Sequence, residues 1–65
     1  MRKSYSSREV ISILEEDGWR EVNHEGSHKQ FKHETKKGKV TVNHPEKDMD
    51  IRTIKSIERQ SGLKF

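Results

Sequence analysis

The sequence predicts an α+β fold in the order α-β-β-β-α: a three-stranded antiparallel sheet with two helices on one face. Three observations point there. Two stretches carry apolar residues at helical spacing between capping signals. Three short runs suited to strands are joined by glycine-bearing turns. Only 26% of the residues are hydrophobic, enough to cover one face of such a sheet but not both. At 65 residues, the chain is expected to form a single domain over 1–65.

The first helix is predicted over residues 7–17. Ser6-Ser7-Arg8-Glu9 fits a capping box with Ser6 as N-cap, and Tyr5 and Val10 occupy the positions of a hydrophobic staple. Val10, Ile11, Ile13 and Leu14 form its apolar stripe, and Gly18 can take the left-handed conformation that ends a helix. A short strand is predicted from Trp19 to Asn23. Its packing candidates, Trp19 and Val22, fall on opposite faces by strict alternation, which calls for a bulge or an irregular start. His24-Glu25-Gly26 is read as a turn, Ser27 to His33 as the second strand, and Glu34 to Gly38 as a polar turn. Lys39 to Asn43 makes the third strand, with Val40 and Val42 on one side. Pro45 ends the sheet because it has no N–H to donate. Asp50 is the expected N-cap of the last helix, with Met49 and Ile54 as a staple. Ile51, Ile54 and Ile57 form its stripe, with Arg52, Lys55 and Arg59 off it. Gly62 closes it, and Leu63 folds back.

Phe31, Val40, Val42 and either Trp19 or Val22 supply one apolar sheet face, so both helices should pack there and leave the other face open to water. With Phe31 turned inward, alternation gives Lys29 and His33 its side. It gives His28, Gln30 and Lys32 the open side, where they have no packing role.

Charged residues make up 38% of the chain, with a net charge of +3. Residues 8–17 set one arginine against four acids, whereas residues 27–47 set six lysines against two acids. Basic charge gathered in one region suits either phosphate binding or a solvated face. There are no cysteines, which excludes disulfides and thiolate metal sites. No apolar run is long enough for a signal peptide or a membrane span, so a soluble cytoplasmic protein is expected. A thin core leaves no room for a buried cofactor, none is expected, and any active site should lie on the surface.

The four histidines are His24, His28, His33 and His44. A metal site needs three or four converging ligands. His28 and His33 on opposite faces work against one, so no metal is expected. Cleavage of RNA without a metal needs less. The ribose 2′-OH must lose its proton, the 5′-oxygen must leave, and the phosphorane charge must be stabilised. Histidine titrates near neutrality and suits the proton transfers; lysine and backbone N–H groups suit the charge. His28, with Lys32 on its face and the Gly26-Ser27 backbone beside it, supplies these residue types. The pattern alone favours a solvated polar histidine over a catalytic one. Ser27 has no readable Asp–His relay to make it a nucleophile, and Trp19 and Phe31 read as core residues.

Asp17-Gly18-Trp19, Gly26-Ser27-His28-Lys29-Gln30-Phe31, Val40-Thr41-Val42 followed by His44-Pro45, and Gln60-Ser61-Gly62-Leu63-Lys64 together resemble the HicA (YcfA-like) family. The resemblance runs from about Ser6 to Lys64 in family order, and Gly-Ser-His followed by Gln-Phe is its most specific part. It implies a double-stranded-RNA-binding-like α-β-β-β-α fold. It also implies the toxin of a type II toxin–antitoxin pair: a metal-independent endoribonuclease cutting mRNA and neutralised by a HicB-type antitoxin. The family's catalytic histidine corresponds to His28 and its preceding glycine to Gly26. Contacts to RNA are expected from Gly26, Ser27, Lys29, Gln30 and Lys32, and an acidic antitoxin surface is expected over the His28 face. The family often carries a second histidine after the first, where this chain has Lys29. It commonly has Pro and Gly at the start of the last helix, where this chain has Asp50 and Arg52. The alternatives are a non-catalytic RNA-binding module using the same basic face and a purely protein-binding domain.

Overall fold

The structure is a computed structural model that describes residues 5–65. Its elements are α1 (Ser7–Glu16), β1 (Trp19–Glu25), β2 (His28–His33), β3 (Val40–Asn43) and α2 (Ile51–Ser61), in the predicted order. α1 begins as its sequence dictates. The Ser6 hydroxyl accepts from the Glu9 N–H at 3.2 Å, and the Glu9 carboxylate accepts from the Ser6 N–H at 3.0 Å. Both halves of the capping box are thus made. Another N–H at this helix end, that of Ser7, donates to the Glu46 carbonyl at 2.7 Å. The helix stops at Asp17, and Gly18 follows at φ 105°. Glycine is needed there twice over, because a Cβ would also lie 2.8 Å from His33 Nε2. α2 starts on the Asp50 carboxylate, which accepts from the Arg52 N–H at 2.8 Å, and ends on Gly62 at φ 77°.

The sheet is antiparallel in the order β1-β2-β3. β1 and β2 join through Gly26 and Ser27 alone. Gly26 at φ 58° followed by a residue of negative φ has the sign pattern of a II′ hairpin turn. The turn expected at His24–Gly26 therefore sits one residue later, and β1 runs on to Glu25. Glu21 faces Phe31 and Asn23 faces Gln30, leaving Val22 as the extra residue of a bulge. That bulge resolves the clash between Trp19 and Val22. Trp19 is 1% exposed and Val22 is 55% exposed, so Val22 is not a core residue.

Ile51 also leaves the expected core, at 39% exposure. It occupies the first turn of α2, where the chain enters from Met49, and Met49 takes its place beside Ile54. The core is Val10, Leu14, Trp19, Phe31, Val40, Val42, Met49, Ile54 and Ile57, drawn from both helices and all three strands, with Tyr5, Ile11, Leu63 and Phe65 packed against it. α1 packs on β1 and β3, and α2 packs on β3. The shortest dimension is 18 Å, the thickness of one helix layer on one sheet. One sheet face is therefore covered and the other is open.

Candidate functional site

Directly opposed residues of an antiparallel pair project to the same side, so the register assigns the open face. Arg20 opposes Lys32, Asn23 opposes Gln30, and Glu25 opposes His28. Across the other ladder, Gln30 opposes Thr41 and His28 opposes Asn43. Along its length the open face carries two cations, then the neutral Asn23, Gln30 and Thr41, then His28 between Glu25 and Asn43. Its residues have little to pack against. His28 is exposed, and its ring makes no hydrogen bond or ion pair among the described residues.

His28 stands beside the Gly26-Ser27 turn, which positions it. The Ser27 carbonyl accepts from the His44 N–H at 2.7 Å, tying the turn to the end of β3. The N–H groups of Gly26 and Ser27 have no partner among the described residues. A β-carbon on Gly26 would meet nothing within 4 Å, so the positive φ alone favours glycine there. The turn end of the sheet thus presents an open imidazole, two open N–H donors and the Glu25 carboxylate.

The structure brings Gly26, Ser27, His28, Gln30 and Lys32 to one surface. Lys29 faces the other way, opposite Val42, and its ammonium reaches Glu21 at 3.3 Å. Glu21 also lies 3.9 Å from His24 Nδ1. The remaining histidines are engaged. His44 Nδ1 is 2.7 Å from the hydroxyl of buried Ser7, which also accepts from the Glu46 N–H at 2.8 Å. His33 Nδ1 accepts from the N–H groups of Thr35 and Lys36, so its Nε2 carries the proton and donates to the Asp17 carbonyl at 2.6 Å. The Lys36 ammonium lies 2.6 Å from the Asp17 carboxylate and holds that carboxyl below the usual carboxylate range. Among the described residues no three His, Asp or Glu side chains converge on a possible metal position, and no helix is long and apolar enough to cross a membrane.

Sequence reasoning missed Glu25, the carboxylate opposite His28, and Arg20, the cation opposite Lys32. Both depend on a register that a two-residue turn and a bulge set together. Alternation counted within one strand cannot supply it.

Among curated proteins compared with the chain, none matches it. The family model of the HicA toxin of bacterial toxin–antitoxin systems matches residues 7–63, from the start of α1 to just past the end of α2. The match spans every element that builds the open face and its histidine, and the chain belongs to the HicA toxin family.

Proposed function

We propose that this toxin is a metal-independent endoribonuclease that cuts mRNA on the open sheet face, with His28 carrying protons for the reaction. The supporting observation is the state of His28: exposed, with no partner among the described residues, and next to two open backbone N–H donors. Attack by the ribose 2′-OH on the adjacent phosphorus forms the new P–O bond as the bond to the 5′-oxygen breaks. The proton leaves the 2′-OH and another must reach the departing oxygen. An imidazole at neutral pH can serve either transfer. The Gly26 and Ser27 N–H groups are suited to the charge that builds on the phosphoryl oxygens. Glu25 stands opposite His28 and is the carboxylate placed to carry the second proton, where many relatives are expected to use a histidine at the position of Lys29. Gln30 and Lys32 extend the RNA contact along the face, whereas Lys29, committed to Glu21 on the other side, contributes no contact there. A HicB-type antitoxin bringing acidic groups over this face would block access to His28.

The test is incubation of purified protein with a defined RNA in EDTA, reading new ends on a gel. The parent cuts. His28→Ala reduces the rate by about 10²–10⁴-fold, the usual scale for a lost acid–base group, with an unchanged melting temperature. Glu25→Gln slows cleavage less and removes one limb of the pH profile of kcat/KM. RNA that is bound by the parent but never cut would make the protein a binding module, and unimpaired cleavage by His28→Ala would overturn the role of His28.

A further inference from the structure

We infer that the end of the open face farthest from His28 is a second phosphodiester-binding subsite, formed by a row of three cations: Arg20, Lys32 and Lys39. The inference rests on the ribonuclease reading for what happens at the His28 end. Arg20 and Lys32 are direct partners in the β1–β2 ladder. Lys39 directly precedes Val40, whose partner Phe31 directly precedes Lys32, so it lies just beyond the end of the β2–β3 ladder on the Lys32 side. All three side chains are exposed. Neighbouring strands lie about 4.8 Å apart, so Arg20 and Lys32 stand side by side across the sheet, with Lys39 at the adjoining entry to β3.

Like charges directly opposed on one face destabilise a sheet, and nothing in the described residues relieves this set. None of the three makes an ion pair or side-chain hydrogen bond there. Two other lysines of the same stretch do have carboxylate partners, Lys29 with Glu21 and Lys36 with Asp17. The one carboxylate that the strands place on the open face, Glu25, is at the opposite end beside His28. A solvated face serving solubility alone would be better built with mixed signs. An anion lying across the row removes the repulsion.

The spacing identifies which anion. Lys32 is four residues along β2 from His28, about 13 Å at the rise of a strand. The row therefore holds a flanking phosphate of a single strand whose reacting phosphate lies at His28. Between them Asn23, Gln30 and Thr41 offer neutral donors and acceptors to riboses and bases. The surface fits an RNA strand laid along β2.

Binding of a ~12-nucleotide 2′-O-methylated RNA, within the site size of small single-strand-binding domains, tests this without any cleavage. The dissociation constant is followed over a salt series for the parent, for Arg20→Gln/Lys39→Gln, and for the charge-matched control Arg52→Gln/Lys55→Gln on the exposed side of α2. The slope of log K against log salt should fall by about 1.4 in the sheet variant, at about 0.7 for each phosphate contact to a single strand, and remain at the parent value in the control. Equal losses in both variants would mean that only net charge is being read, and no loss in either would mean that the row does not touch RNA; each overturns the subsite. So does an acidic polyglutamate peptide that binds the parent and not the sheet variant while RNA binding is unchanged, because the row would then be a protein-docking surface. The probe cannot be cut, so failure of the parent to cut ordinary RNA would overturn the ribonuclease reading and leave this binding result standing.

Discussion

The two histidines that begin and end β2 have opposite surroundings. His33, on the helix side, is held at both ring nitrogens, by Asp17 on one side and by Thr35 and Lys36 on the other. It also packs edge-on against Trp19 at 5.2 Å between ring centroids. His28, five residues earlier on the open side, has none of this among the described residues. A ring whose nitrogens are both occupied can join a helix end to a loop but cannot offer either nitrogen to a substrate. A ring left in water contributes little to the fold and is open for chemistry. Strand alternation produces both environments from one segment, because Phe31 fixes which side faces the core.

Removing Phe31 should break the comparison outright and has the largest expected effect on stability. Its side chain is fully buried at the centre of the core. Phe31→Ala should cost about 3–5 kcal/mol, comparable to what a single core supplies in a domain of this size, about 3–5 kcal/mol. Thermal unfolding monitored by circular dichroism should lose its cooperative transition, and both histidine environments should disappear together. A cooperative melt within a few degrees of the parent would show that the two ends do not share one core.

Breaking the His33 end alone should be milder and should leave the other end intact. His33→Ala removes the partner of the Asp17 carbonyl and of two loop N–H groups, at about 0.5–1.5 kcal/mol for a hydrogen bond where water can replace the lost partner. Gly18→Ala places a β-carbon 2.8 Å from His33 Nε2 at φ 105°, adding a clash to backbone strain. The two changes should be less than additive, since removing the imidazole removes the clash. Chemical denaturation of the two single variants and the double variant measures this coupling. RNA cleavage well below the melting temperature should match the parent in each. A loss of cleavage in His33→Ala at a temperature where it is fully folded would remove the distinction between the two histidines.

This contrast was only half legible in the sequence. The caps at Ser6, Asp50 and Gly62 are local signals, and each holds in the structure. The side taken by His28 followed from Phe31 by alternation within one strand. The bulge was foreseen from the conflict between Trp19 and Val22, but not which of them it would expose. The partners of His33 were not legible because they come from Asp17, sixteen residues away, and from a loop whose path depends on the fold. Arg20 and Glu25 were missed for a related reason. Their importance lies in what they oppose, and opposition depends on closing the hairpin at Gly26-Ser27 one residue later than the composition suggested. Ile51 was misplaced because periodicity identifies a stripe but not where the chain enters it, and Met49 enters first.

The smallest expected effect sharpens the comparison through acid. The Lys36 ammonium donating to Asp17, joined by the Trp19 indole N–H at 3.2 Å, holds the Asp17 carboxyl below its ordinary value. A group whose folded pKa is depressed contributes stability above its unfolded value, about 3.9, and that contribution is lost as pH falls through the lower folded value. The His33 end should therefore weaken as the solution is acidified below about pH 4, where an unfolded aspartate becomes protonated. Asp17→Asn should be less stable than the parent near neutrality, and the gap between the two unfolding midpoints should narrow on going to lower pH. The effect is modest because the pair is partly exposed to solvent and salt. A gap between parent and Asp17→Asn that stays constant down to pH 2 would show that the Lys36 contact does not hold the aspartate ionised in solution. The hydrogen bonds of His33 would then have to fix that end of the strand without it.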